Sequence, residues 1–408
     1  MPTPSRPAAA SPSSPLVRRV GIALLLLFGL TAGLVVAELY FRFGPQPTRR
    51  TYMSEDPVLH HRLRPNYDAP VNGTRFTTNA LGLRDRELPI PKPAGTFRIL
   101  MLGDSFTEGG GLENDETVAK VVEAGLRRGA CGDAVDVVNS GHASYSPILE
   151  YLLLRDPGLR LQPDLVVLNF DMTDVHDDFV RTRIARLDAR GLPTAVAPDR
   201  RIETWLIMPP VFPRPLRGLE DRIARLAVYQ AFRKSKPGIW LFGRFTLSQA
   251  QIEAKGLIGN LRYDRLALAR DDDFPDVREG WALTRRYLAG IDEIARQHGA
   301  GFALVVYPHA YQVSATASPV GRQRMGIGPG LFDSTRPFTV LEEFGAQHRV
   351  PVINLRALFR QREPTQGPLF RERDFHHTKA GAAVFGEGVL RGLRAHRLVP
   401  CDVASGRR

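Results

Sequence analysis

"RILMLGDSFTEGGG" spans Arg98–Gly111, and its reading decides the fold. An unbroken apolar run ending in a glycine is the pattern of a strand buried on both faces, and the Asp-Ser pair after it stands where the chain turns toward a helix. Downstream, "ETVAKVVEAGLRRG" places Val118, Val121, Val122 and Leu126 at helical spacing before a glycine stop. "AVDVVN" then reads as a strand, "PILEYLLLRD" as a helix and "PDLVVLNF" as a third buried strand. Strands alternating with helices predict a parallel sheet covered on both faces, the α/β class. The alternation resumes near the C-terminus. A helix is expected over Trp281–Arg296, a strand at "FALVVYP", a helix over Leu341–His348, a strand at "PVINL" and a last helix from Lys379. Residues from about 179 to 278 break the pattern and read as an insertion.

The ends of the chain bear on compartment. Val20–Ala37 is eighteen residues without a charge, preceded by Arg18 and Arg19 and followed by Tyr40, Phe41 and Arg42. That length and those flanks predict a membrane-spanning helix with its basic side in the cytoplasm. The expected parse is a cytoplasmic tail over 1–19, an anchor over 20–42, a loop-rich leader over 43–96 packed on the main domain, and an α/β/α domain over 97–400. That domain would lie on the periplasmic side of the inner membrane. A cleaved signal peptide, cut after Ala37, is the rival. The net charge of +12 is spread along the chain without a basic run interleaved with aromatics, which argues against a nucleic-acid partner. Cys131 and Cys401 are too few for a metal knuckle, and in an oxidising compartment they are candidates for a disulfide. Within the insertion Leu216, Leu219, Ile223, Leu226 and Tyr229 form a basic amphipathic segment, expected to pack on the main sheet. The alternative puts it on a membrane surface, with Trp240 and Phe242 at the headgroups.

Ligands of open parallel sheets bind beyond the carboxyl ends of the strands. Three loops there carry distinctive residues: "GDSFTEG", "NSGHASYS" and "DMTDVHDD". Ser105 stands at a strand-to-helix turn, where its backbone N–H can face a developing negative charge. A fourth segment, "RDFHHTKAG", sets Asp374, His376 and His377 before the last helix. Serine, histidine and aspartate in this layout point to a nucleophile, its base and the group that orients the base. The glycines at Gly109–Gly111 lack the lysine and hydroxyl of a phosphate loop. "DVHDD" reads as a helix start rather than a metal site, because acidic residues suit a helix N-terminus. His60 and His61 receive no chemistry, and His298, His309, His348 and His396 read as surface or packing residues.

"LGDSFTEG", the N-x-G of Asn139–Gly141 and the D-x-H-x-x-x-x-G of Asp374–Gly381 resemble successive blocks of the SGNH, or GDSL-type, hydrolase superfamily. "GLRDRE" followed by "FRILMLGDSFTEG" is similar to its membrane-anchored bacterial members. The resemblance covers roughly 82–178 and 350–396. It implies a three-layer α/β/α fold with a mostly parallel, flavodoxin-like sheet, Ser105 as nucleophile, and an oxyanion hole lined by the N–H groups of Ser105 and Gly141. For the base, a D-x-x-H spacing selects His377, whereas the interval to Gly381 and the D-x-H of anchored members select His376, which is preferred. Asp374 would orient it. The family's third block is G-x-N-D, but here the glycine place holds Asp171 and the asparagine place Thr173; only Asp174 agrees. Thr173 is expected to replace the asparagine donor, with Asn169 or His142 as alternatives, and losing such a donor costs roughly 100- to 1,000-fold in rate. The implied activity is ester hydrolysis by acyl transfer, with no metal or cofactor, on O-acyl (acetyl) groups of a glycan or envelope polysaccharide. The alternatives are an O-acetyltransferase fed by a separate membrane acyl-donor chain, and a non-catalytic polysaccharide-binding protein of the same fold.

Overall fold

The computed structural model describes residues 15–43, 52–71, 73–129, 131–198, 222–223, 226–234, 249–261, 264–271, 273–325, 327–328 and 330–400. The chain forms two units, one of Met1–Arg49 with Val211–Gly243 and one of Arg50–Pro210 with Arg244–Arg408.

The first unit is built on helix α1 (Pro15–Phe43). Its stretch Leu16–Phe41 has a mean hydropathy of 2.6, and none of its most apolar eighteen residues is buried. Twenty-six residues at helical rise extend about 39 Å, enough to cross a hydrocarbon core. The amphipathic segment expected on the main sheet is described only in part. Its described helix, Ala227–Lys234, lies against α1 instead, where the Val228 N–H donates to the Glu38 carboxylate at 2.9 Å. A carboxylate suits the unpaired N–H groups of a helix N-terminus, which accounts for the placement. Leu216, Leu219, Trp240 and Phe242 lie outside the described residues.

The second unit carries a five-stranded sheet: β1 (Phe97–Gly103), β2 (Val135–Asn139), β3 (Leu165–Phe170), β4 (Gly301–Val306) and β5 (Val352–Asn354). The order is β5-β4-β3-β1-β2 and every pairing is parallel. Leu100 of β1 stands opposite Val138 on one side and Val166 on the other. Because side chains alternate across a strand, Leu100 and Leu102 enter one layer and Ile99 and Met101 the other. The helices named next are α2 (Ser105–Glu108), α3 (Val118–Arg127), α4 (Pro147–Arg155), α5 (Asp174–Arg181), α6 (Pro275–Gln297), α7 (Arg336–His348), α8 (Arg356–Gln366) and α9 (Lys379–Ala395). The first layer packs under α4, α5, α6 and α7, and the second under α3, α8 and α9. This is the expected three-layer, flavodoxin-like arrangement. Its strand order reverses between β1 and β3, the switch point at which such sheets bind ligands.

Other details depart from expectation. The leader forms two hairpins, Met53–Asp56 with His60–Leu63 and Asp68–Val71 with Thr74–Thr77. Tyr52, Leu63 and Phe76 bury together with Ala143 from the loop after β2. α6 starts at Pro275, six residues before the expected Trp281, because proline at a first helical position needs no N–H partner. Cys131 is buried and disulfide-bonded, while Cys401 lies outside the described residues.

Candidate active site

Ser105 opens the four-residue turn α2 directly after β1. Asp104 caps that turn, its Oδ1 accepting the Phe106 N–H at 2.9 Å, while the first-turn N–H of Ser105 has no acceptor among the described residues. Gly109 closes the turn with φ +78°, a left-handed value that costs glycine little. Arg84, from the leader's "GLRDRE", is 1% exposed and grips the far end. Its Nη1 donates to the Glu108 and Gly109 carbonyls at 2.8 and 2.6 Å, its Nη2 to the Leu112 carbonyl at 2.5 Å and its Nε to Asn114 Oδ1 at 2.9 Å. A cation at these carbonyls offsets the helix dipole and fixes the turn.

The loop before α9 brings an imidazole to the serine. His376 Nε2 lies 2.8 Å from Ser105 Oγ, and His376 Nδ1 lies 3.1 Å from Asp374 Oδ1. Asp374 also accepts the His376 N–H at 3.0 Å. Burial pushes the Asp374 carboxyl up, but the hydrogen bond and charge of His376 hold it below the usual carboxylate range. Ser318 Oγ donates to the Asp374 carbonyl at 2.7 Å, and Thr378 caps α9 through the Gly381 N–H at 3.1 Å, so the loop is held at both ends. His377 turns the other way. It is 3% exposed among Phe106, Tyr307, Phe359, Phe370 and Phe385, and neither ring nitrogen has a hydrogen-bond partner among the described residues.

The expected oxyanion donors are arranged differently. The Gly141 N–H donates to Asn139 Oδ1 at 3.0 Å and is therefore not open to a ligand. Glycine is required there for packing: a Cβ would stand 2.2 Å from the Glu108 backbone nitrogen. The His142 N–H goes to the Gly103 carbonyl at 3.0 Å and the Ala143 N–H to the Glu108 carboxylate at 2.7 Å. Ser144, the exposed residue that follows, has φ +64°, and its N–H has no acceptor among the described residues. The Thr173 N–H and hydroxyl both turn to Asp171. Asn169 donates one of its two amide hydrogens to Thr107 Oγ1 at 3.0 Å, and His142 Nδ1 pairs with the Ser140 carbonyl at 3.0 Å.

Beneath Ser105 lies a group that the sequence did not flag. His309, expected as a packing residue, places Nε2 2.8 Å from Asp171 Oδ1, and the Tyr307 hydroxyl lies 3.2 Å from Asp104 and 3.3 Å from Asp171. Two buried carboxyls sharing one hydroxyl do not both ionise. Burial and the Asp171 charge push Asp104 well up, while His309 holds Asp171 well down against its own burial. Ionisation is thus favoured at Asp171 over Asp104, the carboxyl adjoining Ser105. Asp171 is paired by His309, which follows the end of β4. "DVHDD" forms the start of α5, and among the described residues no group of three His, Cys, Asp or Glu side chains is arranged to hold a metal ion.

No protein-family model matches the chain, and no curated protein matches it. Solved structures similar to it include that of TesA, at 13% identity over 73% of this chain and 98% of that one, with a TM-score of 0.36. The acetyl xylan esterase AlAXEase is 13% identical over 73% of this chain and all of its own, with a TM-score of 0.35. A member of the lipolytic protein G-D-S-L family from Veillonella parvula DSM 2008 is 11% identical over 72% and 97%, with a TM-score of 0.36.

Proposed function

We propose that this chain is an SGNH-type serine esterase, anchored in the inner membrane by α1 with its catalytic unit outside the cytoplasm. Its substrate is an O-acyl ester, acetyl first of all, on a glycan or envelope polysaccharide. The observation that carries the reading is the 2.8 Å contact of Ser105 Oγ with His376 Nε2, backed by Asp374. His376 takes the Ser105 proton as the oxygen attacks the ester carbonyl, and Asp374 steadies the imidazolium. The oxyanion faces the N–H groups of Ser105 and Ser144. His376 then returns the proton to the leaving sugar hydroxyl, and water, activated by the same imidazole, releases the acid from the acyl-serine.

The test is to treat the full chain in detergent with a fluorophosphonate probe and an aryl acetate. Wild type is expected to be labelled and to hydrolyse. Ser105→Ala loses both, and His376→Gln loses at least about 10⁴-fold in kcat, whereas His377→Gln keeps the labelling. A wild-type chain that neither labels nor hydrolyses would sink the proposal. Thr173, whose hydroxyl is given to Asp171, favours the second reading of a polysaccharide-binding protein of this fold; binding without turnover would establish it. Acetyl appearing on a sugar acceptor would assign transfer instead of hydrolysis.

A further inference from the structure

His61 lies in the leader, 44 positions before the nucleophile, and carries no assigned chemistry. Its Nε2 stands 2.8 Å from the carbonyl oxygen of Ala143. That carbonyl and the Ser144 N–H belong to one peptide unit, which is trans. In a trans peptide the two bonds point in opposite directions. Holding the carbonyl from the leader side therefore aims the N–H the other way, away from His61, and Ser144 itself is exposed. The neighbouring peptides are pinned as well, by the Ala143 N–H on Glu108 and by Arg181 Nη2 on the Ser144 carbonyl.

We infer that His61 is a positioning residue for the oxyanion site, aligning the Ala143–Ser144 peptide through a tautomer fixed by His60. The inference rests on the esterase reading and on Ser144 as a donor. A carbonyl only accepts, so His61 Nε2 carries the hydrogen. A neutral imidazole has one N–H, which leaves His61 Nδ1 bare; it accepts from His60 Nδ1 at 2.8 Å. The chain of donation runs His60 Nδ1–H to His61, then His61 Nε2–H to Ala143. Burial, reinforced by His60, keeps His61 neutral by pushing its pKa well below the ordinary histidine value. His60 is held at φ +63°, a strained value for a side-chain-bearing residue, in the position that makes this contact. Tyr145 closes the assembly, its ring edge-on to His61 at 5.1 Å and its hydroxyl donating to the His61 carbonyl at 2.5 Å.

Two measurements test the inference. Histidine-selective ¹⁵N spectra of the full chain, assigned by loss of a signal in His61→Gln, are expected to show His61 as a neutral ring protonated at Nε2 at pH 7. A ring protonated at Nδ1, or charged, overturns the inference whether or not the protein is an enzyme. In kinetics, His61→Leu is expected to lower kcat about 30-fold with KM within about twofold, somewhat less than removal of an oxyanion donor. His61→Gln, which keeps a donor, recovers most of that loss. A folded His61→Leu with wild-type kcat, or a His61→Gln no better than leucine, overturns it. Should the leucine variant not fold, the glutamine variant and the spectra still decide. Failure of wild type to label at Ser105 would remove the esterase reading, leaving the ring geometry to be judged by the spectra.

Discussion

His376 and His377 are neighbours with opposite surroundings. His376 is 35% exposed and reaches the serine, whereas His377 is enclosed by aromatic rings with no partner for either nitrogen among the described residues. Burial first, and then the charges of His376 and His309, lower the His377 pKa to about 3. The folded state therefore binds this proton more weakly than the unfolded chain, whose histidine titrates near 6.5. Its contribution to stability is full above pH 6.5 and is lost as the pH falls from there through about 3. From pH 7.5 to pH 5 this single residue accounts for about 2 kcal/mol of lost stability. His377→Phe, a ring that suits the cage, is expected to lose that much less over the same interval in urea titrations, with equal stability loss as the result that would contradict it. The sequence favours His376 by its interval to Gly381 without excluding His377, because both spacings fit a loop whose direction is set by Ser318, Thr378 and the aromatic cage.

At the scale of elements, strands β1 to β4 and helices α3, α4 and α9 could be read from apolar runs and helical spacing, since each buries a continuous face. What escaped is what periodicity does not encode. The resemblance puts the Gly141 N–H in an oxyanion hole, but that N–H goes to Asn139 and the glycine packs on α2; the Ser144 N–H has no acceptor among the described residues, and a positive φ at a serine leaves no mark in the sequence. The clamp on α2 joins residues more than twenty positions apart, so "GLRDRE" reads as polar loop although Arg84 is buried to 1% exposure. Burial lowers its pKa to about 10, so the guanidinium stays charged at neutral pH. Arg84→Met takes a donor from three carbonyls, of which Gly109 keeps the Leu112 N–H, and is expected to cost about 3 kcal/mol in denaturant unfolding. Fluorophosphonate labelling of Ser105 should slow in parallel and recover partly when free guanidinium is added. Unchanged labelling would show that the turn holds its shape unaided.

For the whole molecule, the division into two units separates the apolar helix from the sheet. A chain beginning at Arg50 keeps the leader hairpins, His61, Arg84 and the entire sheet, and is expected to fold and hydrolyse an aryl acetate at the full-chain rate. One beginning at Phe97 removes Arg84 and Arg86, which bonds Glu123 at 3.0 Å, and should be insoluble or inactive. Equal activity of the two truncated forms, assayed side by side, would show the leader to be dispensable. The reacting pair has a further consequence, for synthesis. Oxygen and imidazole stand 271 positions apart, on either side of nearly the whole sheet. While the chain is being made, the serine emerges early and lacks its imidazole until the final loop docks, so the pair forms only in a molecule whose sheet is already assembled.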